Sequence, residues 1–365
     1  MKAMRRTYLV LLSAMLLIFA GCKGSDGQTE RTKDQAMSQT LGTEAVTYPD
    51  ISYEVDFHQL PQEKFQVYRN LHFYDGSCFC RARQQGLYGI SKVDVAGKVT
   101  DVIAPSQRAD GTFDNLLTFC VTKNGEICSL IADQKKDGDI TVTLGFAFVT
   151  YDKNGSEQSR IPIEEKLNEW ELQESVMEAD GNDHFVIGKS DVQIYGTNGT
   201  LMRKITLDEE MTVGDLCMAS DGYLCVTLWN SSGKMQMTKL DIQKALMEKH
   251  EDTPVRCLGE SAKEGELLAV TQEGLFGMKI ADKTLIPILQ WADYGLRGEM
   301  VIGVSSLGEG FLAFTRQAEL IVLKTGGQDN APEKKERTKI VLATLRKNML
   351  QGLVADFNRS QSEYQ

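Results

Sequence analysis

Chemistry in this chain has to come from a small set of side chains. The candidate nucleophiles and metal ligands are eight cysteines (Cys22, Cys78, Cys80, Cys120, Cys128, Cys217, Cys225 and Cys257) and four histidines (His58, His72, His184 and His250). The histidines are scattered. There is no HExxH, no phosphate-cradling glycine loop, no GxGxxG opening a helix and no GxSxG turn. Gly303-Val-Ser-Ser-Leu-Gly308 spaces its serine wrongly for a nucleophile elbow. Cys78-x-Cys80 puts two thiols on one face of an extended strand, and two donors do not make a metal site. Asp133 to Asp139 has the acidic spacing of a calcium loop, but Lys135 and Leu144 stand where oxygen donors are needed, so it reads as a solvated acidic turn. Glu164-Glu165 and Glu209-Glu210 could be the carboxylate pairs of glycoside hydrolysis. In a chain with 51 acidic residues, adjacency points instead to a charged surface. Trp170, Trp229, Trp291 and Tyr294 could stack on sugar rings or fill a core, and the core is favoured. No catalytic, cofactor-binding or metal-binding residue stands out, and the expectation is a protein that is not an enzyme and holds no cofactor.

One cysteine has a chemical context of its own. Lys2, Arg5 and Arg6 form a positive start, and Tyr8 to Ala20 is an uncharged apolar run. As a helix at ~1.5 Å per residue this run is short of a ~30 Å hydrocarbon core, so it reads as a signal-peptide segment. Phe19-Ala-Gly-Cys22 follows directly and resembles the lipobox of bacterial lipoproteins, with Phe19 where that family usually has leucine. The resemblance implies cleavage before Cys22, diacylglyceryl transfer to its thiol, and a lipid anchor on the extracytoplasmic face of the cell membrane. Two acyl chains hold where one holds only marginally. Removing Lys2, Arg5 and Arg6 takes 40 Lys and Arg to 37 against 51 Asp and Glu, a net charge of −14. Attraction to anionic lipid therefore contributes nothing, and lipid through Cys22 is the expected membrane partner. The same acidic balance excludes general nucleic-acid binding, which needs a basic face.

The elements that position these residues are strands. Residues 23–50 are polar with almost no large apolar side chain, and read as a flexible tether. From about 51 to 326, short runs rich in Val, Ile, Leu, Phe and Tyr are broken by turn pairs. One series is Asp75-Gly76, Asn124-Gly125, Asp180-Gly181, Asp221-Gly222, Glu273-Gly274 and Glu309-Gly310, and a second interleaves with it at Gly97, Gly155, Gly199 and Gly233. Two hairpin turns per ~47 residues means about four strands per unit, and units of that size resemble β-propeller blades. The expectation is an all-β propeller of six or seven four-stranded blades, with a β-sandwich of similar hairpins as the alternative. Asp241 to Lys249 could be a helical excursion, and Ile163 to Trp170 a short turn. Cys120 and Cys217 each lie four residues before a turn, and Cys128 and Cys225 four after it. A two-residue turn would set Val121 against Cys128 and Met218 against Cys225, so each cysteine pair would point to opposite faces, disfavouring a bond. Small apolar packing between blades is the simpler role.

Residues 327–337 are a linker by composition. Thr338 to Leu345 reads as a buried strand, and Arg346 to Asn358 carries Leu350, Leu353, Val354 and Phe357 at helical spacing. This strand–helix opening, ending in Asp-Phe-Asn, resembles the first βα unit of extracellular solute-binding proteins of the maltose and glycerol-phosphate type, so 338–365 reads as an incomplete first unit of such a domain. The resemblance implies an ABC importer's permease and a small solute such as a sugar as partners. The expected organisation is a lipoprotein signal peptide at 1–21, a tether at 22–50, a propeller at 51–326, a linker at 327–337 and the βα unit at 338–365. The function expected of it is binding at the cell surface. A free-standing interaction propeller and a surface glycan hydrolase or lyase are the rivals.

Overall fold

The structure, a computed structural model, describes residues 46–326 apart from 66–70, 85, 106, 139, 165–166, 173, 181–183 and 209. Its strands build a six-bladed β-propeller. β1 (Tyr53–Gln59) comes first in the chain. Blade one is β2 (Leu71–Tyr74), β3 (Ser77–Gln84), β4 (Leu87–Val93) and β5 (Val99–Ile103). Blade two is β6 (Thr112–Val121), β7 (Ile127–Asp137), β8 (Ile140–Tyr151) and β9 (Glu157–Ile163). Blade three is β10 (Val176–Ala179), β11 (His184–Gly188), β12 (Asp191–Gly196) and β13 (Leu201–Thr206). Blade four is β14 (Met211–Met218), β15 (Leu224–Asn230), β16 (Met235–Asp241) and β17 (Leu246–Met247), with β18 (Glu251–Asp252) also pairing β16. Blade five is β19 (Cys257–Glu260), β20 (Glu266–Val270), β21 (Gly274–Lys279) and β22 (Leu285–Gln290). Blade six is β23 (Val301–Leu307), β24 (Gly310–Thr315) and β25 (Glu319–Thr325), completed on its outer edge by β1.

The ring closes in two ways. The first strand of every blade packs against the first strand of the next, from β2 through β6, β10, β14, β19 and β23 back to β2. β1 pairs antiparallel with β25 from Tyr53↔Thr325 to Gln59↔Glu319, so a strand from one end of the described chain covers an edge made by the other. Pairing that edge removes a row of open backbone donors and acceptors.

Each blade is sandwiched between two others, so its inner strands are buried on both faces. That explains why runs such as Leu116 to Val121, all buried, are nearly continuous in apolar residues rather than alternating. A separate apolar cluster fills each of the six interfaces. Between blades two and three, for example, Leu130 and Phe148 meet Phe185, Ile187 and Tyr195, and the Phe148 and Phe185 rings stack with centroids 4.6 Å apart. The seven cysteines among the described residues are free and buried, and all belong to these clusters.

Two local expectations need correction. The hairpins around the cysteines do not use two-residue turns. Thr122 N–H donates to Glu126 O, and Gly125 N–H, at φ +82°, donates back to Thr122 O. This is a three-residue loop with glycine in the left-handed position. The added residue shifts the register by one, so Cys120 lies directly opposite Cys128, and Cys217 opposite Cys225. The helical excursion at 241–249 does not form either. The chain turns at Ile242 to Ala245 and folds straight back, Leu240 pairing with Met247. Nine residues are too few for a self-supporting helix, and edge pairing prevails. A single helical turn does occur at Glu169–Leu172, inside the link between blades two and three.

Candidate functional site

The six first strands run in the same direction around the axis and enclose a cavity of about 470 Å³. All six blades contribute to its wall, through β2, the end of β6, β10, β14, β19 and β23. The wall presents polar and apolar surface in nearly equal measure, and its charged residues are few and placed toward opposite ends.

At the end where the first strands begin stand Arg256, just before β19, and Arg316, just after β24. Thr315 pairs with Val301, the first residue of β23, which fixes Arg316 at this level. Trp229 belongs here too, opposite Thr212 near the start of β14, and it is 40% exposed. Among the described residues neither arginine forms an ion pair. Arg256 is held below the ordinary arginine value by burial and by the like charge of Arg316.

Toward the other end three carboxyls converge from adjacent blades: Glu178 of β10, Asp215 of β14 and Glu260 of β19, with Lys123 following β6. A register shift in β14 between Val213 and Asp215 leaves Gly214 unpaired in the ladder. Such bulges re-aim the side chains beside them. Gly214 has to be small here, since a Cβ on it would come within 2.8 Å of Thr227 Oγ1. Asp215 is anchored by backbone donors. Its own neighbour Leu216 N–H donates to Oδ1 at 3.0 Å, and Leu258 N–H, from the next blade, donates to Oδ2 at 2.8 Å. Among the described residues Glu178 accepts only the N–H of Ala179, at 3.0 Å on Oε1. Burial pushes its carboxyl up to about 8, and the negative charges of Glu260 and Asp215 add to the shift, against the opposing pull of Lys123. Glu260 is raised as well, by loss of water against the channel wall. The folded protein therefore favours the protonated form of Glu178.

His72 also lines the cavity. Burial lowers it to about 4, so it is a neutral ring, packed 5.3 Å from Phe119. Among the described residues the wall includes one orphaned polar atom, Thr227 Oγ1, which has no hydrogen-bond partner although its residue is only 2% exposed.

The residues singled out from the sequence separate. Cys22 and residues 338–365 lie outside the described residues. Glu164 and Glu210 are exposed and away from the cavity wall, and Glu165 and Glu209 lie outside the described residues. Asp133 is part of β7, where it accepts from Arg108 at 2.9 Å and joins Arg160 and Asp114 in an ion-pair network. Trp291 is core, its Nε1 donating to Thr271 O at 3.1 Å, and Tyr294 packs on Tyr53. Of the aromatic candidates among the described side chains, only Trp229 lines the channel. Among the described residues no group of three or more His, Cys, Asp or Glu is placed to hold a metal ion. Glu178, Asp215, Glu260, Arg256 and Arg316 were not visible as a group in the sequence. The available sign was a charge interrupting the apolar first strand of a repeat, as in Val176-Met-Glu178-Ala and Val213-Gly-Asp215-Leu.

No family model and no curated protein sequence matches the chain. Solved structures of similar fold do. A protein of unknown function from Bacteroides caccae is 11% identical with a TM-score of 0.46, over 66% of this chain and 86% of that one. A streptogramin B lyase is 12% identical with a TM-score of 0.44, over 75% and 98%. A catalytically inactive virginiamycin B lyase from Staphylococcus aureus, solved with quinupristin, is 11% identical with a TM-score of 0.46, over 75% and 100%.

Proposed function

We propose a function that drops the non-enzymatic assignment made from missing motifs, which does not stand because solved chains of similar fold include lyases. We propose that this protein is a lipid-anchored, extracytoplasmic propeller that binds a small charged solute in its central channel. The observation that carries the reading is the channel itself, a cavity of about 470 Å³ with Arg256 and Arg316 at one end and three carboxyls toward the other. Its size is in the ordinary range for small-molecule sites, roughly 300–1,000 Å³. Its charge favours an ionic solute over a neutral sugar. Anchoring is supported by the lipobox-like Phe19-Ala-Gly-Cys22, and a place beside an ABC importer's permease by the resemblance of residues 338–365 to a solute-binding protein.

Trp229 reports on occupancy. Fluorescence of the purified full chain, titrated with amino acids, short peptides, organic acids and sugars, is expected to change with at least one charged solute and to lose that response in Trp229→Phe. A panel in which only neutral sugars respond, or in which Trp229→Phe responds like the parent, overturns the channel reading. Cys22→Ala is expected to move the protein from the membrane to the soluble fraction. Retention of that variant in the membrane overturns the anchor.

A second reading is favoured by Glu178. A carboxyl that stays protonated near neutrality beside other carboxylates is suited to general-acid catalysis. Turnover of a bound solute that disappears in Glu178→Gln while binding persists is its test.

A further inference from the structure

We infer that the channel takes a zwitterionic ligand of oligopeptide length, its ammonium group among Glu178, Asp215 and Glu260 and its carboxylate on Arg256 and Arg316. The inference rests on the reading of the channel as a solute site and names the class of solute.

Charge sets the polarity. Arg256 and Arg316 are close enough to repel, Glu299 acts on Arg256 in the opposite sense, and neither arginine forms an ion pair among the described residues. Two guanidiniums sharing one mouth are the donor set for a carboxylate, which accepts two parallel N–H bonds from such groups. Toward the opposite mouth the balance reverses. Glu178, Asp215 and Glu260 outnumber Lys123, so the region attracts a cation even with one carboxyl protonated.

Distance sets the length. Arg256 immediately precedes β19 and Glu260 ends it, so the two charges sit four residues apart on one extended strand. At ~3.3 Å per residue that is about 13 Å. An extended peptide spans roughly 3.3–3.6 Å per residue, so three to four residues reach from one mouth to the other.

Between the ends the wall offers what a peptide backbone and side chain require. Thr227 Oγ1 is buried without a partner, and Trp229 presents a partly exposed ring. Glu178 faces Lys123 and Cys120 from blade two, Asp215 and Cys217 from blade four and Glu260 from blade five. The Cys120 thiol is raised by its hydrogen bond with Cys128 and by burial, and the Cys217 thiol by burial and by neighbouring acids. An arriving ammonium therefore draws a proton off Glu178, and the proton leaves to solvent.

The test is calorimetry of the full chain at pH 7 with trialanine and tetraalanine, in buffers of different ionisation enthalpy. Trialanine or tetraalanine is expected to bind at least tenfold tighter than alanine and to release close to one proton, seen as a slope of observed heat against buffer enthalpy. N-acetylation and C-terminal amidation are each expected to weaken binding tenfold or more. Arg256→Gln is expected to abolish the effect of amidation, and Glu178→Gln the proton release, with melting temperatures recorded for both variants to establish that they fold. Blocked peptides that bind as well as free ones overturn the inference while leaving the channel as a solute site. So does a Trp229 response to some other ionic solute with none to peptides. A channel that responds to no solute overturns the parent reading as well.

Discussion

At the scale of single residues, the site is a set of exceptions to the rule that strands between blades are apolar. Each carboxyl there has a different environment. Asp215 is tied into backbone, so it contributes to holding blades four and five together as well as to the field of the channel. Asp215→Ala leaves Leu258 N–H buried without its acceptor and is expected to cost about 1–3 kcal/mol, measured by denaturant unfolding, whereas Asp215→Asn, which keeps an acceptor, costs less. Glu178 is the opposite case, a carboxyl whose folded-state value of about 8 lies above the usual 4.5. Folding then favours its protonated form. That stability is complete below pH 4.5 and is lost as pH rises through 8. Glu178→Gln is expected to flatten this decline, so its stability gain over the parent grows between pH 5 and 9, reaching a few kcal/mol. Parallel curves for the two proteins across that range contradict the assignment. These residues were illegible as a group in the sequence because they come from three blades, and only the packing of those blades side by side brings them together. Adjacent acids such as Glu209-Glu210 were visible and lead away from the channel.

At the scale of elements, the repeating hairpins were legible from their turn pairs, and their register was not. An Asn-Gly or Asp-Gly pair serves both two-residue and three-residue loops. Some of the three-residue loops carry a side-chain acceptor three positions before the glycine. Asp152 Oδ1 accepts from Asn154 N–H at 2.8 Å and Ser156 N–H at 2.9 Å, and Asp94 and Asn230 act alike on their own loops. By contrast Asp75-Gly76 is a true two-residue turn, with both residues at positive φ. Gly155 is constrained twice, by a φ of +86° and by an approach in which a Cβ would lie 2.0 Å from Val102 O of the neighbouring blade. The left-handed conformation alone costs about 1–2 kcal/mol for other residues. Gly155→Ala is therefore expected to destabilise by more than that in chemical denaturation. Gly111→Ala, at φ +82° with open space around its Cβ, is expected to show the conformational cost alone. Equal losses at the two positions contradict the close packing of blades one and two.

At the scale of the whole molecule, the sequence pattern allows six or seven blades, because one blade is assembled from both ends of the repeat region. β1 and β25 pair across more than 250 residues of chain, for instance Gln59↔Glu319, and no local periodicity carries that information. The same pairing closes the ring and so fixes the channel. Removing residues up to Gln59 strips the cover from β25 and takes Tyr53 out of the cluster between blades five and six. The truncated chain is expected to melt at a lower temperature and over a broader range by circular dichroism than the parent. An unchanged transition contradicts closure by β1.

The account as a whole turns on what occupies the axis of the ring. A crystal structure of the full chain grown at neutral pH with trialanine addresses it directly. The expected result is one peptide lying along the channel, its carboxylate within hydrogen-bond distance of Arg256 and Arg316 and its ammonium group beside Glu178. An empty channel in crystals whose peptide is bound elsewhere on the surface contradicts it.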